Sequence, residues 1–397
     1  MNILLLYFFI DTLSIKHTGI HHNTEDMYME KAKVYFTNMR ALPGDSLLAK
    51  LERLIKKAGI SDIDFNKKYA AIKIHFGEPG NLAFLRPNYA KVVADVVKEL
   101  GGRPFLTDCN TLYVGGRKNA LDHIDSAYLN GYTPFSTGCH VIIADGLKGT
   151  DEALVPVEGG EYVKEAKIGR AIMDADIIIS LNHFKGHEAT GFGGSLKNLG
   201  MGCGSRAGKM EMHSAGKPHV NRECCIGCKM CTKVCAHDAI TLADRKASID
   251  HNKCAGCGRC IGVCPADAVE PASDESNNIL NCKIAEYTKA VISGRPNFHI
   301  SLVIDVSPYC DCHGENDTAI IPDVGMFASF DPVALDVACA DAANRQPILA
   351  GSMLDECEHT HHDHFTDIGP ATNWHSAIEH AVKLGIGTDQ YELIEVK

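Results

Sequence analysis

Residues 70–108 decide the fold: Ala70-Ala-Ile-Lys-Ile-His75, then Phe-Gly-Glu78-Pro-Gly80-Asn81, a stretch of helical period from Tyr89 to Leu100 closed by Gly101-Gly102, and Pro104-Phe-Leu-Thr107. Two short β-rich apolar runs separated by an amphipathic stretch make a strand–helix–strand unit, the building block of a parallel sheet. Pro87 suits the first turn of that helix, and the paired glycines suit its end. The alternation continues outward in both directions. Strands are expected at Lys33 to Phe36, Val141 to Ala144, Asp176 to Leu181 and Ile300 to Asp305, and helices at Ser46 to Ala58 and Lys164 to Met173. The expected class is α/β, with a largely parallel sheet.

The 397 residues carry 39 Lys and Arg against 50 Asp and Glu, a formal charge of −11. Such a chain has no electrostatic footprint for nucleic-acid phosphates, so no nucleic-acid partner is expected. With 45% hydrophobic and 22% charged residues it has an ordinary globular composition. The apolar stretch Asn2 to Ile10 is roughly half of a membrane span and has no preceding Lys or Arg, which argues against an anchor or a secretory signal. Residues 1–29 also lack the strand–helix alternation of the rest of the chain, and Met27 and Met29 stand just before the first strand. An upstream start codon is the expectation for this extension.

Cysteine is the anomaly, at 17 residues, and eight of them lie between Cys225 and Cys264. In so long a chain, with such clustering, this points to a reducing, cytoplasmic setting and to metal chemistry rather than disulfides. The first run is Cys225-Ile-Gly-Cys228-Lys-Met-Cys231-Thr-Lys-Val-Cys235, and the second is Cys254-Ala-Gly-Cys257-Gly-Arg-Cys260-Ile-Gly-Val-Cys264-Pro265. A doubled C-x2-C-x2-C-x3-C is the bacterial ferredoxin arrangement for two 4Fe-4S clusters, in which the fourth cysteine of each run serves the other cluster. One cluster is therefore assigned to Cys225, Cys228, Cys231 and Cys264, and the other to Cys254, Cys257, Cys260 and Cys235. Ala236-His-Asp238-Ala-Ile240 aligns with Pro265-Ala-Asp267-Ala-Val269 as an internal duplication, although Ala236 replaces the expected proline. Cys224 is a bystander.

In a parallel sheet, ligands bind beyond the carboxyl ends of strands. Four such ends carry polar residues: His75 to Asn81, Asp108-Cys-Asn110-Thr111 onward to Arg117, Asn182-His183-Phe-Lys185-Gly-His187, and Ser307-Pro-Tyr-Cys310-Asp-Cys312-His313. His75 and His183 are read as proton donors, Asp108 and Asn110 as orienting groups, and Lys185 as a partner for an anionic group. The Gly-rich segment Gly191 to Lys209 reads either as an anion-binding loop presenting Lys197, Arg206 and Lys209, or as a hinge. Cys203, Cys310 and Cys312 would form an additional metal or cluster site if their loops meet, with His213 or His313 as a fourth ligand. His359-Thr-His361-His362-Asp-His364 reads as a metal-rich loop or as solvated surface.

Lys73-Ile-His-Phe-Gly-Glu78, Thr107-Asp-Cys-Asn-Thr-Leu-Tyr113, Asn182-His-Phe-Lys-Gly-His187, Gly194-Ser-Leu-Lys-Asn-Leu-Gly200 and Phe330-Asp-Pro-Val-Ala-Leu-Asp336 together resemble the uncharacterised Fe-S centre proteins of domain-of-unknown-function family 362. The resemblance covers residues 30–397. It implies an α/β host, residues 30–216 and 273–397, interrupted by a small α+β dicluster ferredoxin-like insertion, residues 217–272. Because a carrier needs only the insertion, the host should do other chemistry. The leading expectation is an oxidoreductase that relays electrons between a redox partner protein, or a small-molecule donor or acceptor, and a substrate or cofactor in the host cleft. The alternatives are an electron-transfer accessory protein and an Fe-S sensor. A flavin is compatible with the cleft, but no motif calls for one.

Overall fold

The computed structural model describes residues 31–397 except 113–114, 214–216, 236, 255, 257 and 272–275. The expectations for residues 1–29, Cys257, Ala236 and Tyr113 fall outside the described residues. The central sheet has eight strands: β1 (Ala32–Asn38), β2 (Tyr69–Lys73), β3 (Arg103–Asp108), β4 (His140–Ile143), β5 (Ile177–His183), β6 (Asn297–Val303), β7 (Gly325–Ser329) and β8 (Tyr391–Glu395). Their order is β8-β1-β7-β6-β5-β2-β3-β4. β7 runs against both neighbours, and every other pairing is parallel.

Both faces of this sheet are covered, which is why its central strands are continuous apolar runs rather than alternating ones. Ile72 pairs with Leu106 on one side and Ile179 on the other, and Ile300 pairs with Leu181. These side chains face helices α1 (Leu47–Lys57) and α2 (Pro87–Glu99) through Leu51, Leu54, Val93 and Val97. Complete burial of residues of this size stabilises by roughly 1.5–3 kcal/mol each. Ala71 and Ile178, one residue out of phase, face the opposite layer, which includes Tyr287 and Val291 of a long helix, Asn277–Ile292.

Local signals act as read at α1 and α2. Ser46 caps α1 by accepting from the Ala49 amide at 3.2 Å. Pro87 opens α2, and Gly101 takes φ 86° so that the Gly102 amide can return to Val97. Two expectations are corrected. Lys164 to Met173 is not a helix: Glu165–Gly169 is a strand paired antiparallel to Glu152–Pro156, with only Arg170–Met173 helical. Ala166 and Ile168 are buried together, a period of two that outweighs the helical reading. The Gly-rich segment is neither loop nor hinge. It holds a hairpin strand, Gly191–Gly193, then helices α3 (Ser195–Cys203) and α4 (Arg206–His213). Its glycines allow close approach: a Cβ at Gly200 would collide with the Ile284 carbonyl, and one at Gly202 with the Lys73 side chain.

Between α4 and the long helix, strands Pro218–Val220 and Val269–Pro271 pair antiparallel, and Ile240–Ala243 pairs with Lys246–Ile249. The two halves repeat in the backbone. Gly227 and Gly256 both have φ 69°, Lys229 and Gly258 have 66° and 65°, and Asp238 and Asp267 have 47° and 48°. The described residues belong to one compact unit, Lys31–Lys397. Among them no helix is long and apolar enough to cross a membrane.

Candidate functional site

β2 lies at the topological switch point: β3 and β4 extend the sheet on one side and β5 and β6 on the other. The crevice expected there is a cavity of about 380 Å³, and all four polar strand ends reach it. Its lining includes His75, Asp108, His183, Lys185, His187, Cys310 and Cys312, with Lys197 and Lys209 from α3 and α4.

Charged groups here are buried and paired. Lys73, 1% exposed, places Nζ 3.1 Å from Asp108 and donates to Asn198 at 2.9 Å. Burial opposes ionisation of Asp108, but Lys73 and neighbouring cations outweigh it and hold the carboxyl well below its usual range. Arg117 donates to Glu78 at 2.6 Å, and Lys185 lies 3.2 Å from Asp311. Lys197 and Lys209 also line the cavity, and neither has a carboxylate partner within ion-pair distance among the described residues.

The two histidines read as proton donors behave differently. His183 places Nδ1 2.9 Å from Asp311 and Nε2 2.7 Å from the Ile304 carbonyl, so both nitrogens face oxygen acceptors and hold the strand end in place. His75 accepts from the Gly77 amide at Nδ1, 3.0 Å away, which puts its proton on Nε2. That nitrogen is buried with no hydrogen-bond partner among the described residues. Burial, then the Arg117 charge, pushes His75 well below the ordinary histidine range. It is therefore a neutral N–H donor beside the cavity.

Cys310 and Cys312 meet, but with His187 rather than Cys203. Groups of three donors with one atom each within 4.8 Å of one another are, among the described residues, His187–Cys310–Cys312 and Glu188–Cys312–His313. By distance alone, either set could reach one metal ion. Cys203 sits in the core with Leu199, Ile284 and Tyr287, where burial pushes its thiol up to about 12. Its carbonyl accepts from the Cys109 thiol at 3.3 Å.

Three other site expectations turn out to be scaffolding. Asn110 bonds Asp145 and the Gly146 carbonyl and does not line the cavity. Arg206 is directed away from the cavity, donating to the Lys118 and Lys148 carbonyls and packing against Gly258 and Gly262 of the second cysteine run. The N-terminus of α3 is already capped: the Asp336 carboxyl oxygens accept from the Ser195 and Leu196 amides at 2.6 and 2.9 Å. In the histidine-rich loop, His359 and His361 face Asp367, while the His364 ring meets the Gln346 carbonyl. Sequence reasoning gave no role to Lys73 or Arg117, and weighed His187 only as a metal-ligating pair with His183. A lone lysine inside the apolar run Ala70-Ala-Ile-Lys-Ile was the available signal for the first.

The cysteine block forms two small cavities. Cys225, Cys228, Cys231 and Cys264 ring one, and Cys235, Cys254 and Cys260 ring the other. Backbone amides point at the sulfurs: Ala247 at Cys225 (3.4 Å), Ala239 at Cys235 (3.3 Å), Gly256 at Cys254 (3.4 Å) and Ala268 at Cys264 (3.2 Å). The Ala247 amide lowers the Cys225 thiol. Leu112 belongs both to the large cavity's wall and to the apolar group containing Cys225, Cys231 and Cys260.

The family model described as "Domain of unknown function (DUF362)" matches residues 70–341. The chain belongs to this family. The DUF362 match runs from β2 past β7, so it contains the strand ends, both cysteine runs and the Cys310–Cys312 loop. A thylakoid-associated protein of Synechocystis sp., sll1697, is 27% identical over 150 residues, covering 36% of this DUF362 chain and 40% of the relative. Among solved structures, lactate racemase apoprotein from Thermoanaerobacterium thermosaccharolyticum aligns at TM-score 0.36 and 11% identity, over 69% of this chain and 51% of that one. A Thermotoga maritima protein aligns at TM-score 0.38 and 14% identity, over 75% and 57%.

Proposed function

We propose that this DUF362 chain is an iron-sulfur oxidoreductase of a reducing, cytoplasmic setting, with two 4Fe-4S clusters in a ferredoxin-like insertion at residues 217–272 and an anionic substrate bound in the strand-end cavity. Cys225, Cys228, Cys231 and Cys264 hold one cluster, and Cys254, Cys257, Cys260 and Cys235 the other. The observation that carries this is the crossed grouping. Cys264 closes the ring of the first run and Cys235 lies with the second, the exchange that a dicluster arrangement requires. Amide-to-sulfur hydrogen bonds at four of these cysteines suit thiolates bound to iron. Zinc fits less well, since tetrahedral bonds of about 2.3 Å bring sulfurs to within about 4 Å. The four thiols of the first ring supply no group of three within 4.8 Å.

Bound clusters supply one-electron transfer; the chain's own residues supply the site. Lys197 and Lys209 attract negative charge into the cavity, and His75 offers an N–H beside it. Asp108, Glu78 and Asp311 neutralise the remaining cations and fix their positions. Anaerobic purification with iron and sulfide analysis should give about eight iron atoms per chain, with electron paramagnetic resonance of two reduced clusters. A folded chain that contains only zinc refutes the reading.

A further inference from the structure

Cys310 and Cys312 leave β6 on the dipeptide step Cys310-Asp-Cys312, with their sulfurs within 4.8 Å of each other and of a His187 nitrogen. The half-buried Lys197 places its ammonium 3.4 Å from the Cys310 sulfur. The His187 ring decides what this group can do. Its Nδ1 accepts from the Ala189 and Thr190 amides at 3.1 and 3.2 Å, so it carries no proton. The proton is on Nε2, which leaves Nε2–H as the group His187 can donate to the thiols. A metal-bound imidazole has the reverse arrangement, a bare nitrogen toward the ion and an N–H toward an acceptor. An N–H and an ammonium converging on sulfur instead match a thiolate. The Cys312 thiol, the Lys197 and Lys185 charges and His187 all lower Cys310 against the effect of burial, and Cys312 is raised correspondingly.

We propose that Cys310 and Cys312 form a redox-active dithiol in which Cys310 is the nucleophile toward a small anionic disulfide held in the strand-end cavity. The Cys310 thiolate attacks one sulfur of the substrate, a Cys310–substrate disulfide forms, and the other half leaves as a thiolate. Cys312 passes its proton to that leaving thiolate and attacks Cys310, displacing the second half, which takes a proton from solvent. One disulfide and the dithiol thus become two thiols and the Cys310–Cys312 disulfide. Regeneration takes two electrons and one proton, and a pair of one-electron iron-sulfur centres is the class of donor that supplies them. This last link alone rests on the cluster reading. Anionic selectivity comes from Lys197 and Lys209, the lining cations without carboxylate partners among the described residues, and the cavity of about 380 Å³ suits a small molecule.

The test uses the full chain purified anaerobically, with dithiodiglycolate as an anionic disulfide and cystamine as a cationic one of similar size. Dithiodiglycolate should release two thiols per chain and leave the peptide containing Cys310 and Cys312 two mass units lighter, at least tenfold faster than cystamine. A Cys312→Ser chain should stop at a mercaptoacetate adduct on Cys310, and a Cys310→Ser chain should form none. Both should keep wild-type iron content and melting behaviour. An adduct confined to other cysteines overturns the proposal, as does equal reactivity with the two disulfides. So does an extra equivalent of metal that shields both thiols and disappears in Cys310→Ser. Peptide mass is read without the clusters: a chain lacking iron refutes the reading above and leaves this test intact, whereas a fully loaded chain without the adduct refutes only the dithiol.

Discussion

Replacing Lys73 with methionine tests the electrostatic core of the cavity. The substitution keeps the buried length of the side chain and removes its charge. Lys73 and Asp108 are 1% and 2% exposed and 3.1 Å apart, and the Asn198 amide oxygen takes a second Lys73 proton at 2.9 Å. Removing one partner of such a pair leaves an uncompensated charge in a dry site, which costs about 3–5 kcal/mol. Asp108 keeps the Cys109 amide at 2.9 Å, so the lower half of that range, about 3 kcal/mol, is expected. In a domain of this size each kcal/mol lowers the melting midpoint by about 2 °C, giving a fall of about 6 °C in anaerobic calorimetry. Lys73→Met/Asp108→Asn removes both charges and should recover part of the loss, because the two sites share one interaction. A loss under 1 kcal/mol, or a double variant that falls by the sum of the two singles, would refute the view that this pair is mutually compensating.

Gly200→Val should destabilise by about 1–3 kcal/mol, measured by thermal melting, because its Cβ would meet the Ile284 carbonyl where α3 packs on the long helix. Burial raises the Asp336 carboxyl to about 7, against 3.8 for the ordinary side chain. Between those values the folded chain binds the extra proton, so this group's contribution to stability falls as pH rises from about 4 to about 7 and is level above. The melting midpoint of Asp336→Asn relative to wild type should therefore improve across that window, and a constant difference counts against it. Cys264→Ser should diminish the cluster assigned to the first cysteine run and spare the second, read by iron content and electron paramagnetic resonance.

The strands that were legible in the sequence are those whose environment leaves one option. Ala70 to His75, Asp176 to Leu181 and Ile300 to Asp305 are short, apolar and bounded by polar turns, and a sheet covered on both faces demands that. β7 and β8 were not anticipated. Tyr391–Glu395 is an edge strand with little burial, and an antiparallel Gly325–Ser329 has no separate signature within an α/β alternation. The glycines of α3 misled for a physical reason: glycine lowers helix propensity, yet here its missing side chain is what lets the helix approach Lys73 and Ile284. Propensity is local, whereas the contact is set 84 residues away in the chain at Ile284, counted from Gly200.

The same distinction explains the site. Polar composition at four strand ends announced a crevice, because polar side chains concentrated beyond a buried sheet need a common reason. It did not say which of them would face the cavity. Asn110 and Arg206 are as polar as His75 and Lys197, but the Asn110 side-chain NH2 is taken by Asp145 and the Gly146 carbonyl, and the terminal nitrogens of Arg206 by the carbonyls of residues 118 and 148. What separates a scaffold residue from one that can meet a ligand is whether the fold turns its donors toward the cavity or toward the chain's own acceptors, a property of the partners and not of the residue. Arg206 also shows why the cysteine block and the α/β host hold together. Its stem packs on Gly258 and its guanidinium lies against Gly262 while bonding loops of the host, and Leu112 joins the apolar group around the thiols to the wall of the cavity. An electron route between the two would therefore cross a packed, ordered boundary, and a substitution at Arg206 should loosen that boundary without touching any thiol.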